Sequence, residues 1–137
     1  MKASRLSKRG LQVVLVAIAL VSVVTGLLGI LPPGVASEFY GLGGLAADSG
    51  HAILDSNYRY YSGIWLGVGA VMLWIVPNIE RQRTVLRVLS VLIFLGGLGR
   101  VVSAVSFTAP PPAFVFFMML ELLFPLSLAW QARVSRE

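Results

Sequence analysis

The chain has 137 residues, 57% of them hydrophobic and 12% charged, with a mean hydropathy of +0.84. Soluble domains carry about 25% charged residues, so this composition excludes an ordinary soluble domain. Eleven Lys and Arg against six Asp and Glu leave a net charge of +5, and one histidine with no cysteine excludes a disulfide scaffold, an Fe–S cluster, a thiolate zinc site and a cysteine nucleophile.

A spanning helix needs roughly 20 apolar residues to cross a hydrocarbon core about 30 Å thick. The first candidate runs from Gly10 to Leu31, without a charge, and stops at Pro32-Pro33-Gly34. Lys2, Arg5, Lys8 and Arg9 precede it. This start resembles a secretory leader, but signal cores are about 7–15 residues long, so the longer run reads as a retained span. Ser22 with Gly26, and Thr25 with Gly29, place small residues four apart on this helix. That spacing lets helix backbones approach closely in lipid.

Segment 32–59 follows as a long outer connection. It holds Glu38, Phe39 and Tyr40, a Gly-rich run from Gly41 to Leu45, then His51 and Asp55-Ser56-Asn57-Tyr58-Arg59. Asp55, Ser56 or Asn57 is expected to cap the second span, which is read over 60–77. Tyr58, Tyr60 and Tyr61 fit an aromatic belt at the outer interface, and Trp74 and Trp130 fit the inner one. Glu38, Asp48, His51 and Asp55 match no Ca²⁺ loop, and no metal site is expected.

The third span is read over 85–107 and the fourth over 113–131. Arg81, Arg83 and Arg87 lie between or beside spans two and three, and Arg133 and Arg136 follow span four. Basic residues flanking spans favour the cytoplasmic side, so both termini are expected there. The positive charge therefore encodes topology, and no nucleic-acid partner is expected. Short connections make spans two to four antiparallel neighbours. The fold class is all-α: one integral membrane four-helix bundle over residues 1–137, with N- and C-termini cytoplasmic. Its Gly and small-residue pairs serve internal packing or, alternatively, a homo-oligomer seam.

Two charges fall inside the apolar segments. Arg100 lies seven residues before Phe107, and Glu121 eight residues after Ala113. At 1.5 Å per residue both sit about 11 Å below the outer ends of antiparallel neighbours. A lone charge at that depth costs about 3 kcal/mol on insertion scales, so an Arg100–Glu121 ion pair is expected. Pro125 has no N–H for the carbonyl of Glu121, which predicts a kink and a free acceptor there. Arg59 stands at the outer end of span two, where Glu38, His51, Asp55, Asn57 and Tyr61 are expected to converge with it. The expected site is an outer-facing polar pocket of Arg59, Arg100, Glu121, Asn57, Tyr61 and Glu38. A buried ion pair that only fixes helix register is the competing account. No catalytic motif, phosphate loop or dinucleotide fingerprint occurs, and no cofactor is expected.

Three stretches then carry a resemblance: Asn57-Tyr58-Arg59-Tyr60-Tyr61-Ser62-Gly63-Ile64-Trp65-Leu66-Gly67, Phe94-Leu95-Gly96-Gly97-Leu98-Gly99-Arg100, and Glu121-Leu122-Leu123-Phe124-Pro125. Together they resemble a bacterial family of small four-span membrane proteins, domain of unknown function 4345. The resemblance implies one bundle of four helices in a bacterial inner membrane, with Arg59, Arg100 and Glu121 at the family's polar positions. By fold analogy alone the architecture is similar to DoxX-like proteins. The functional expectation is a pocket that binds or passes a small or lipid-like ligand. The alternatives are an accessory subunit of a larger membrane complex and a membrane-embedded enzyme on a lipid substrate.

Overall fold

The structure is a computed structural model, and it describes residues 2–31, 49–107 and 110–135. All regular elements among them are helical. Helix α1 is Lys2–Ile30 and α2 is Ser49–Ile75. A 3-10 turn, Val76–Asn78, follows α2 directly. Helix α3 is Arg83–Ser106, α4 is Pro112–Leu123 and α5 is Leu126–Val134. Three segments are long and apolar enough to cross a membrane: Ser7–Ile30, Asp55–Asn78 and Arg83–Ser106. Helices α4 and α5 meet the same test together, with a 44° bend between them.

Two differences from the sequence expectation concern α2 and Pro125. Helix α2 starts at Ser49 rather than at Tyr60, so Asp55, Ser56 and Asn57 lie inside the helix and do not cap it. The apolar pattern marks the lipid-compatible part of a helix and is blind to a polar extension beyond it. The Pro125 kink is present, but the Glu121 carbonyl is not free. It accepts the Phe124 N–H at 3.3 Å, one residue closer than the bond that proline removes. Ser127 N–H and Leu128 N–H then restart the ladder on the carbonyls of Phe124 and Pro125.

The chain packs as two compact units, residues 14–74 and residues 1–13 with 75–137. In the first, Leu15, Ala19, Ser22, Gly26 and Gly29 form one buried stripe on α1. Their alternating spacing of four and three is the repeat of a left-handed helix pair. Across from it α2 buries Ser62, Val68, Gly69 and Met72. A Cβ added at Gly26 would lie 2.8 Å from the backbone nitrogen of Leu66. One at Gly69 would lie 2.9 Å from the Ala19 carbonyl oxygen. Small residues here bring the two backbones together, which is the main source of attraction between helices surrounded by lipid. Ser22 and Ser62 donate to the carbonyls one turn back, Ile18 and Tyr58. Trp65 Nε1 donates to Thr25 Oγ1 at 3.1 Å.

In the second unit the core comprises Leu11 of α1, Ile75, Val76 and Ile79, then Leu86, Leu89 and Ile93 of α3, and Phe124 and Val134 beyond the proline. Two glutamines hold the turn between α2 and α3. Gln12 Nε2 donates to the Val76 carbonyl at 2.9 Å, and Gln131 Nε2 donates to the Ile79 carbonyl. A 3-10 turn leaves carbonyls outside the regular helical ladder, and the amides take them up. Trp130 Nε1 donates to Ser7 Oγ at 3.0 Å, and its ring lies against Gly10. Lys8 pairs with Glu80 at 2.9 Å. Outside both cores large apolar side chains are exposed, among them Leu20, Val24, Trp74, Leu95 and Val102. A surface of that kind suits lipid as solvent.

Candidate functional site: the Arg100–Glu121 pair

Helix α3 presents Gly97 and Arg100 on adjacent turns, and α4 brings Glu121 against them. The Glu121 Cβ sits where a Cβ on Gly97 would approach to 3.0 Å, and Leu122 where it would approach to 3.2 Å. Glycine at 97 therefore makes room for the carboxylate's helix. Arg100 Nε donates to both carboxylate oxygens, at 3.1 Å to Oε1 and 2.9 Å to Oε2. The Arg100 guanidinium carbon stands 5.7 Å from the centroid of the Phe114 ring on α4, within cation–π range. The matched positions inferred from helix rise thus produce the expected ion pair.

The two partners differ in burial. The Glu121 side chain is 9% exposed and that of Arg100 40%. The carboxylate needs its partner, because a buried charge without one is costly. The guanidinium has capacity beyond the pair. Among its five N–H donors, Nε serves Glu121, and no hydrogen bond from Nη1 or Nη2 reaches another described residue. A half-exposed guanidinium with two unengaged terminal amines suits an oxyanion such as a phosphate or carboxylate.

The remaining predicted site residues belong to the other compact unit or lie outside the described residues. Arg59 belongs to the unit of residues 14–74, where it is already engaged. Its Nε and Nη2 donate to Asp55 at 2.7 and 3.1 Å, and its Nη1 donates to the carbonyls of Ile30 and Leu31 at 2.9 and 2.5 Å. Those carbonyls end α1, so Arg59 caps a helix C-terminus, where a cation also meets the negative end of the dipole. Asn57 and Tyr61 are exposed on α2, and Tyr61 lies edge-on to Tyr60 with ring centroids 5.5 Å apart. Glu38 lies outside the described residues. A shallow groove lined by Arg87, Val88, Val91 and Leu92 lies toward the start of α3, away from Arg100.

Phe114 and Gly97 were not among the residues expected at the site. Gly97 had a signal, since it lies three residues before Arg100 and thus on the same helix face. Phe114 had none beyond its place seven residues before Glu121, two helical turns away.

The chain from Gly10 to Gln131 matches the model of a family described as a domain of unknown function, DUF4345. The chain belongs to this family. The matched DUF4345 region contains the whole Arg100–Glu121 site, and it ends on the glutamine that holds the α2–α3 turn. No curated protein and no solved structure matches the chain.

Proposed function

We propose that this DUF4345 protein is a multi-pass bacterial inner-membrane protein whose Arg100–Glu121 pair receives the anionic group of a small or lipid-like ligand. The observation that carries the reading is the asymmetry of the pair. Glu121 is buried and doubly bonded by Nε, while Arg100 is half-exposed with its terminal amines uncommitted among the described residues. Glu121 holds the guanidinium in place, and Phe114 supports it from the side. Arg100 then offers its two terminal amines to phosphate or carboxylate oxygens, a geometry in which arginine binds bidentately. In this reading the site lies about 11 Å below the outer end of α3, inside the apolar layer, where the half-exposed guanidinium would meet the ligand's oxygens while an apolar tail stays in lipid.

Arg59 contributes by ending α1. Both termini face the cytoplasm in this reading, since nine of the eleven basic residues flank the inner ends of the spans.

Native mass spectrometry of the detergent-extracted protein tests the proposal. The wild type is expected to carry an acidic adduct that dissociates on activation. Arg100→Gln is expected to lose it at unchanged detergent and lipid exposure. A folded Arg100→Gln protein carrying the same adduct would overturn the proposal.

A further inference from the structure

A second set of polar groups lies on α3 and on α5 beyond the proline, about three turns along the chain from the ion pair, and the proposed function makes no use of it. Ser90 of α3 and Ser127 and Gln131 of α5 are buried or half-buried, and each carries a side-chain oxygen that is out of solvent reach and without a protein partner among the described residues: Ser90 Oγ, Ser127 Oγ and Gln131 Oε1. Ser90 is 1% exposed and Gln131 0%.

The Ser90 and Ser127 hydroxyls differ from three others in the described helices. Serine and threonine in a helix commonly donate to the carbonyl one turn back. Ser22, Thr25 and Ser62 all do so. Ser90 does not, although the Leu86 carbonyl one turn back belongs to the same helix, and Ser127, whose corresponding carbonyl on Leu123 lies across the Pro125 break, has no partner among the described residues either. Their donors are therefore left for another acceptor. Gln131 shows the complementary half. Its amide nitrogen is spent on the Ile79 carbonyl, which orients the group and leaves the amide oxygen as an acceptor.

Counting along the helices assigns the three to one level. Helix α3 packs against both α4 and α5. Ser90 lies ten residues before Arg100, and Gln131 ten residues after Glu121, on helices running in opposite directions. The paired charges fix the register at one level, and ten residues of rise, about 15 Å, carry both chains to a second level. Ser127 lies one turn before Gln131 on the same face of α5. The bend at Pro125 tilts α5 and shortens its share of the rise by a few Å, which is within the reach of these side chains.

We propose that the seam between α3 and α5 holds a site for bound water, with Ser90 Oγ, Ser127 Oγ and Gln131 Oε1 as its ligands. Two hydroxyls, each both donor and acceptor, and one carbonyl acceptor match the two to four hydrogen bonds that a buried water makes. The guest class is fixed by size and charge. No ionised side chain belongs to the layer, so an ion has no counter-charge there, and a neutral guest of one heavy atom fits a seam between packed helices. The water joins α3 to α5, while the other end of the Gln131 amide joins α5 to the α2–α3 turn. The site is independent of the Arg100 ligand and stands if that proposal fails.

Two readouts on the full chain in deuterated detergent test it. In the NMR spectrum, the Gln131 side-chain amide protons are expected to show a cross-peak to water, lost or strongly reduced in Ser127→Ala and in Ser90→Ala. In thermal unfolding, each alanine variant is expected to lower the midpoint by a few degrees. An unsatisfied hydroxyl in a dry core predicts the opposite, since its removal leaves the midpoint unchanged or raises it. A folded wild type with no cross-peak, or alanine variants that melt no lower than the wild type, would overturn the water site. A direct Ser90–Gln131 hydrogen bond is a third outcome. It would make Ser90→Ala destabilising and Ser127→Ala neutral, with no water signal, and it too contradicts the proposal. Lipid or ligand retention at Arg100 is expected to be unchanged in both alanine variants, which separates the two sites.

Discussion

At the scale of single residues, the ion pair is governed by what happens when one partner is removed. Arg100→Met leaves the Glu121 carboxylate buried without compensation. Breaking a buried pair costs about 3–5 kcal/mol, and the half-exposure of Arg100 places this one at about 2–3 kcal/mol. Unfolding measurements in mild detergent are expected to show that loss for Arg100→Met and to recover most of it in Arg100→Met/Glu121→Met. Two glycines on the same helix provide a sharper comparison. Gly97→Ala drives a methyl to 3.0 Å from the Glu121 Cβ, whereas nothing lies within 4 Å of a methyl at Gly99. Gly97→Ala is expected to destabilise by about 1–3 kcal/mol. Gly99→Ala is expected to be neutral or to stabilise by up to about 1 kcal/mol, since alanine is the better helix former. The same thermal-melt series checks both.

Residue-level chemistry was legible where cost was high. Arg100 and Glu121 stand out because charges inside apolar segments are rare, and helix rise was enough to pair them. Arg59 was harder to place. Its side chain reaches the last carbonyls of α1, and no sequence periodicity reports which helix end comes near a given arginine. Gln12 and Gln131 were missed because a lone amide near the end of an apolar run has no pattern. Their role depends on a 3-10 turn at Val76–Asn78 that only the folded chain reveals.

At the scale of elements, proline and arginine set helix ends. Pro125 divides α4 from α5 because position 125 cannot donate to the Glu121 carbonyl, and the Phe124 N–H takes that acceptor instead. Restoring the donor in Pro125→Ala allows the two helices to run on as one. With the 44° bend removed, the span from Ala113 to Arg133 is expected to lengthen by about 2 Å from helix rise alone. Pulsed electron spin resonance between labels at those positions measures it, and an unchanged distance would show that packing rather than proline imposes the bend. Arg59 acts at the other kind of helix end. Arg59→Met removes donors from the Ile30 and Leu31 carbonyls together with the partner of Asp55, and the melting midpoint is expected to fall, while Arg59→Lys recovers part of it. The helices themselves were readable from apolar run length. The early start of α2 was not, because residues 49–59 are too polar to register as a span and too regular to remain a loop.

At the scale of the whole molecule, a family match over residues 10–131 and helices of membrane-spanning length point the same way. The proposed orientation, with both termini cytoplasmic, rests on the basic residues. With the inner ends of the spans carrying nine of eleven cations, a fluorescent protein fused after Glu137 is expected to fluoresce, and alkaline phosphatase fused there to stay inactive, because the former folds in the cytoplasm and the latter outside it. The reverse pattern would invert the topology and place the Arg100 site toward the cytoplasm. The expectation of orientation rests on charge asymmetry alone, since it depends on counting residues near span ends and not on how the helices pack.

Arg100 and Glu121 are proposed to hold a ligand and to do more than fix helix register. The exchange variant Arg100→Glu/Glu121→Arg separates these roles most directly, because it preserves a pair of opposite charges while moving the half-exposed cation to the buried position. Native mass spectrometry of this variant, once its melting midpoint shows it folded, is predicted to find the acidic adduct of the wild type gone. A folded exchange variant that retains the adduct at wild-type occupancy would contradict the account.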